Sequence, residues 1–169
     1  MLSEKLENAL NDQINFEFYS AHIYLSMAAY CLDIDLDGFA NFFTVQAEEE
    51  KFHAMKFFNY VNQKEGKVVL KGMPDPKVDF ESSLDAFETA LLHEKIVTSR
   101  IYSLSDIAME EREHATLSLL KWFIDEQVEE ENTLTTIIKK LKRLGTDSAA
   151  LYMLDTELAA RVFVLPVTA

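Results

Sequence analysis

Cysteine, glycine, proline and basic charge are all scarce in this chain, and each shortage excludes something. Cys31 is the only cysteine, so no intrachain disulfide and no Cys-x-x-Cys metal site is available; alone it reads as a small buried hydrophobe. Four glycines and three prolines in 169 residues are too few for a β-fold with many turns and favour long uninterrupted helices. Sixteen Lys and Arg stand against 29 Asp and Glu, a net charge of -13. That balance disfavours nucleic acid or an anionic membrane as partner and suits metal cations. No apolar run approaches the ~18 residues of a membrane span. The start, Met1-Leu2-Ser3-Glu4-Lys5, lacks the apolar core of a signal peptide. The expectation is a soluble cytoplasmic protein.

What the chain does have is material for a core: 49% hydrophobic residues, with 12 Phe and 6 Tyr. Gly38, Gly66 and Gly145 punctuate long periodic segments, Gly72, Pro74 and Pro76 cluster in one stretch, and Pro166 lies in the tail. The segments predict helices over about 3–31, 38–65, 83–110, 113–144 and, shorter, 147–164. Ser3 and Asp37 can cap, Gly66 suits the C′ position, and Ser82-Ser83-Leu84-Asp85 has a capping-box pattern. Lys139, Lys140, Lys142 and Arg143 suit the negative end of the fourth helix. The first two helices are joined by a short link, as are the third and fourth, so each pair folds back on itself. The connection over 66–82 has no helical pattern. Its fifteen central residues, 67–81, reach ~50 Å at ~3.3 Å per residue, more than the ~40 Å of a 27-residue helix. The expected fold is all-α, a single domain over 1–169: a four-helix bundle of two hairpins joined by one long crossover, with a short C-terminal fifth helix.

The inward stripes are apolar with a few exceptions. Leu6, Leu10, Gln13, Glu17, Ala21, Tyr24 and Ala28 share a stripe of the first helix; Phe39, Phe43, Glu50, His53, Phe57 and Val61 share one on the second. The third carries Leu84, Phe87, Leu91, Glu94, Ile101 and Ala108, and the fourth Leu120, Phe123, Gln127, Glu130, Leu134, Ile137 and Leu141. Glu17 and His53 lie 18 residues either side of Asp35, and Glu94 and Glu130 lie 18 either side of Arg112. Antiparallel helices put such residues at one level, roughly 27 Å from the turns. Four inward carboxylates at one depth repel strongly unless cations neutralise them, and two divalent ions would do so. The alternative is four unrelated acids that fall inward. Glu111-x-x-His114 repeats the Glu50-x-x-His53 spacing but lies at a turn, and reads as a solvated helix start. His22, His93 and His114 fall off the site stripes and read as surface residues.

One Glu from each of two helices, with Glu-x-x-His pairs from the other two, is the di-iron carboxylate plan. The fourth helix departs from it, offering Gln127-x-x-Glu130 with no imidazole. Over essentially its whole length the chain resembles the bacterial non-haem ferritins, on Glu17, Tyr24, Glu50-x-x-His53, Glu94, Gln127-x-x-Glu130, the crossover and the helix after Gly145. The resemblance implies a homo-oligomeric shell of 24 subunits. It implies a ferroxidase that oxidises Fe(II) with O2 or hydrogen peroxide at an intrasubunit di-iron centre and stores ferric mineral inside. By the same resemblance Glu17, Glu50 and His53 hold the first iron. Bridging Glu50, Glu94 and Glu130, with Gln127 near, hold the second and looser one. Glu49, Glu126, Glu129 and Glu130 form a third iron site, although from the residues alone Glu126, Glu129 and Glu131 read as a solvated charge run. Tyr24 is then a redox or hydrogen-bonding partner of the site. Trp122 is either a redox residue or a packing one.

The haem-containing relatives carry a ligating Met directly after the Glu of the second helix. Here that residue is Lys51, so no haem is expected. Rubrerythrins need four cysteines, and the DNA-protecting mini-ferritins place their site at a dimer interface. A non-catalytic helical scaffold is the competing reading from another class.

Overall fold

The computed structural model describes residues 2–165, so Pro166 lies outside it. Five helices follow in order: α1 (Glu4–Asp33), α2 (Asp37–Gln63), α3 (Ser83–Glu110), α4 (His114–Leu144) and α5 (Ser148–Ala159). No strand occurs among the described residues. No helix among the described residues is long and apolar enough to cross a membrane.

Two apolar clusters fill the bundle. One joins Tyr24, Met27 and Cys31 to Phe39, Phe43, Phe87, Leu134, Ile137 and Leu154. The other joins Leu6, Leu10 and Ile14 to Phe57, Val61, Ile101, Leu104, Leu120 and Phe123. The second cluster collects the start of α1, the end of α2, the end of α3 and the start of α4. Hence α2 and α3 run parallel, and the chain must travel the bundle's length between them. The travelling segment, 64–82, is laid along α1 by side-chain amides standing in for a partner strand. Asn11 donates to the Lys67 carbonyl (2.9 Å) and accepts from the Val69 N–H (2.7 Å). Asn15 repeats the pattern on Val69 and Lys71. Ser26 donates to the Lys77 carbonyl (2.7 Å) farther on. Each bond satisfies a backbone group of a segment that has no ladder of its own.

Three helix ends share one device. The N–H groups of Leu36, Gly66 and Glu113 each reach back five residues, to the carbonyls of Cys31, Val61 and Ala108. The residues just before them, Asp35, Glu65 and Arg112, are left-handed at φ 57°, 59° and 54°. These are Schellman turns closed without glycine. At the end of α2 the left-handed residue is thus Glu65, where Gly66 was expected to serve. Gly145 does close α4 with φ 56°.

The caps also divide. Ser3 and Ser82 accept from Leu6 and Asp85 N–H groups as expected. Asp85 closes its side of the box on the Glu81 N–H instead of that of Ser82. Asp37 does not cap α2. The residue at that cap is Leu36, which has no side-chain bond to give, and Asp155 of α5 accepts from the Phe39 N–H (3.0 Å) in its place. Gly38, read from sequence as a segment edge, is buried inside α2, where a Cβ would sit 1.7 Å from the Asp155 carbonyl oxygen. In an open helix Gly→Ala gains ~1 kcal/mol. Here Gly38→Ala is expected to cost about 1–3 kcal/mol by overpacking, read as a lower thermal midpoint; an unchanged or higher one would show that α5 does not dock there.

α5 ends at Ala159, short of the expected 164. Asn41 of α2 takes the carbonyls of Leu158 (3.1 Å) and Arg161 (2.9 Å), which turns the chain out of the helix. On α3, Leu84 and Leu91 are only half-buried, and Ala90, His93, Val97 and Leu104 share the inward face instead.

Candidate metal centre

Between the two apolar clusters lies one polar layer. α1 supplies Glu17, α2 supplies Glu50 and His53, α3 supplies Glu94, and α4 supplies Gln127 and Glu130, all buried. The left-handed residues Asp35 and Arg112 mark the turns from which these positions count out equally, which is why helix rise alone brings them to one depth. Ligand atoms of Glu17, Glu50 and His53 lie within 4.8 Å of one another. So do those of Glu50, Glu94 and Glu130, and those of His53, Glu126 and Glu130. Glu50 is the residue common to the first two groups.

Hydrogen bonds satisfy one side of the layer and leave the other bare. Gln13 donates to Glu17 Oε1 (2.8 Å) and is itself held by Arg100 Nε (2.9 Å). The Tyr24 hydroxyl donates to Glu94 Oε1. Gln127 turns its amide nitrogen to Glu94 Oε2 (3.0 Å). Gln46 donates to Glu130 Oε1 (3.0 Å). Four carboxylate oxygens in the layer are buried with no partner: Glu17 Oε2, both oxygens of Glu50, and Glu130 Oε2. Orphaned acceptors of this kind are costly in a protein interior, and oxygen-loving cations at the two groups that share Glu50 would satisfy them.

The electrostatics point the same way. Burial, opposed by hydrogen bonds from neighbours, pushes the Glu17 carboxyl up to about 7. Burial and then the charges of Glu94 and Glu130 push Glu50 well above the carboxylate range. Glu130 moves likewise through burial and Glu94. Burial lowers His53 to about 3, with Lys56 adding to it, so His53 is neutral and free to ligate through a ring nitrogen. Cys31, buried, has its thiol pushed up to about 12 and is inert.

The further expected residues fare unequally. Glu126 joins His53 and Glu130. Glu49 and Glu129 belong to no three-ligand group among the described residues; Glu49 binds Arg161 instead. Trp122 stands edge-on to His53, ring centres 5.5 Å apart, with the Lys56 ammonium 4.3 Å over its ring. Glu111, His114 and His22 are exposed, as read from the sequence. His93 is not a surface residue. It is buried, bonded to Ser20 Oγ (2.7 Å) and stacked on Phe16 at 5.3 Å. The third helix's inward face is simply rotated toward it.

Sequence reasoning placed Gln13 on the inward stripe without giving it a role, and missed Gln46, Arg100 and Arg161. Gln13 precedes Glu17 by four residues on the same helix, a spacing that signals their contact, whereas Gln46 has the same spacing from Glu50 but bonds Glu130 of α4. Arg100 and Arg161 carried no such signal, because each reaches its partner from another element.

Comparison with known proteins agrees with this architecture. The ferritin-like domain family model matches residues 7–144. A bacterial non-heme ferritin of Staphylococcus haemolyticus is 49% identical over 163 residues, covering 96% of this chain and 98% of that protein. One from Staphylococcus aureus is equally similar, 49% over 163 residues with the same coverage. Among solved structures, a closed form of Archaeoglobus fulgidus ferritin made by mutagenesis superposes with a TM-score of 0.96 at 47% identity, covering 97% of this chain and all of that one. The open-pore ferritin of the same archaeon gives 0.95 at 46%, covering 96% of this chain and all of that one. The chain belongs to the ferritin family.

Proposed function

We propose that this chain is an iron-storage ferritin subunit with ferroxidase activity in the cytoplasm. Fe(II) is the substrate. Glu17, Glu50 and His53 hold the first ion; Glu50, Glu94 and Glu130 hold the second. The observation that carries the reading is Glu50, fully buried, with both oxygens unpartnered and shared by both ligand groups. Two Fe(II) ions so held supply the two electrons that reduce O2 or hydrogen peroxide.

The chain's own residues set the terms. Neutral His53 gives the first position its nitrogen ligand. Tyr24 and Gln127 bond the two oxygens of Glu94, so Gln127 acts as a positioning group where the Glu of a second Glu-x-x-His pair would ligate, and Glu130 stands where its imidazole would. The second position is then built of oxygen alone and releases its ion more readily, which suits iron that moves on to storage. The overlapping group of His53, Glu126 and Glu130, with Glu129 and Glu49 outward of it, is the third iron position on that route. The residue after Glu50 is exposed Lys51, which offers no haem ligand.

An anaerobic Fe(II) titration followed by O2 tests this. About two ions bound per chain and oxidised in one fast phase are expected; no stoichiometric binding would favour a passive helical scaffold. Assembly into a shell of 24 copies would place the 19.4 kDa chain in a single very large species by size exclusion.

A further inference from the structure

We infer that Arg100 of α3 is a positioning residue for the first ion: it fixes the orientation of the Gln13 amide and, through it, the Glu17 carboxylate. Arg100 is half-buried and meets α1 at three residues. Its Nε donates to Gln13 Oε1 (2.9 Å) and its Nη2 to the Asp12 carbonyl (3.1 Å). Its guanidinium carbon stands 4.2 Å over the Phe16 ring. Earlier on α3, His93 stacks on the same ring at 5.3 Å. Arginine's planar fork suits this combination of amide oxygen, carbonyl and ring face, which holds the guanidinium in one place.

The consequence for the metal layer rests on the proposed di-metal reading. A guanidinium donates and never accepts, so the end of the Gln13 amide that faces it is the oxygen. The nitrogen end is thereby turned to Glu17, where it donates to Oε1 (2.8 Å). One oxygen of Glu17 is fixed in this way and the other, Oε2, stays bare, on a residue that shares a ligand group with Glu50 and His53. The two ends of an amide are nearly equal in size, so shape alone does not choose between them. Turned round, the Gln13 amide would set its oxygen against the Glu17 carboxylate and repel it. The cation behind the amide breaks that symmetry. Arg100 thus acts on a ligand it does not touch, from a different helix.

Zinc, which binds without redox chemistry, tests this on the assembled protein by anaerobic calorimetric titration. Arg100→Met keeps an apolar stem over Phe16 but donates nothing. It should weaken about tenfold the ion that Glu17→Ala removes, as loss of a group supporting a ligand does, and leave the other ion unchanged. Arg100→Gln, which keeps a donor for the Asp12 carbonyl and is gentler on the fold, should do the same. Gln13→Leu should weaken the same ion, and adding Arg100→Met to it should cost nothing more, because Arg100 acts through Gln13. Arg100→Lys can still donate to the Gln13 oxygen and should recover most of the affinity. A mere structural pin between α1 and α3 would instead weaken both ions alike and add to the effect of Gln13→Leu. Either result, or wild-type affinity in Arg100→Met and Arg100→Gln, would overturn the inference. Crystal structures of the metal-free variants read the same claim without an ion: the Gln13 amide is expected to turn and the Glu17 carboxylate to leave its place, and both unmoved would overturn it. Fewer than two ions in the wild type would count against the di-metal centre, while those crystal structures would still decide the role of Arg100.

Discussion

Glu50→Gln is expected to lower the initial rate of Fe(II) oxidation by at least ~100-fold and, at the same time, to make the metal-free protein more stable. The first effect follows from the site's geometry. Glu50 is the residue common to the group with Glu17 and His53 and the group with Glu94 and Glu130. An amide keeps the side chain's shape but offers one weak neutral ligand in place of a bridging carboxylate. Losses of 10–100-fold follow removal of groups that merely support a ligand, so loss of a shared ligand should exceed them.

The second effect follows from burial. Glu50 is enclosed, both its oxygens lack donors, and Glu17, Glu94 and Glu130 all raise its carboxyl's pKa through their charges or contacts. Removing an unpaired buried acid should gain about 1–3 kcal/mol, or several degrees in thermal midpoint at ~2–4 °C per kcal/mol. Stopped-flow absorbance reads the rate and calorimetry the stability. An unchanged rate would sink the di-iron reading. A slower rate with lower metal-free stability would make Glu50 a structural residue instead.

The stability of the metal-free protein should fall as pH rises from 6.5 to 8, while that of the metal-loaded protein should not. Glu17 titrates near 7 against an ordinary 4.5, and Glu50 and Glu130 are displaced in the same direction. An acid with a raised folded pKa contributes stability that is full below its unfolded pKa and lost as pH climbs through the folded one. Below 6.5 the effect is opposed. His53, lowered to about 3, and His93, also lowered, stay neutral in the fold while their unfolded forms take up protons. Acid therefore destabilises through them, and the window above 6.5 isolates the carboxylates.

A bound divalent ion needs its carboxylates deprotonated, so its binding must release protons. The rise in thermal midpoint on adding zinc should accordingly grow from pH 6.5 to 8. Titrations in two buffers of different ionisation enthalpy should also show net proton release near pH 6.5. A zinc-induced shift that is the same at both ends of the window, with no protons released, would mean that these carboxylates are not the ligands.

The sequence by itself determined the helices and the depth of the site. Scarcity of glycine and proline, together with stripes spaced at three and four residues, predicted an all-α bundle, and α4 buries each residue of its expected stripe, from Leu120 to Leu141. Equal counts from Asp35 and Arg112 predicted that Glu17, His53, Glu94 and Glu130 share a level, because helix rise is constant and hairpins fold back on themselves. These are local regularities, and a linear text records them.

Tertiary structure decided whatever depended on which element faces which. Asp155 capping α2, Gly38 admitting α5, the crossover seated on Asn11 and Asn15, the burial of His93 and the engagement of Glu49 by Arg161 each join residues more than fifty positions apart, or depend on a helix's rotation about its axis. A stripe defines a face only to within about one residue, roughly 100° of rotation, and that margin is what separates an exposed histidine from a buried one. The same physics explains why the ligands were legible and their supports were not. The ligands fall on inward stripes that repeat at each helix's own period, whereas Arg100 and Arg161 reach their partners from elements whose docking no local pattern encodes.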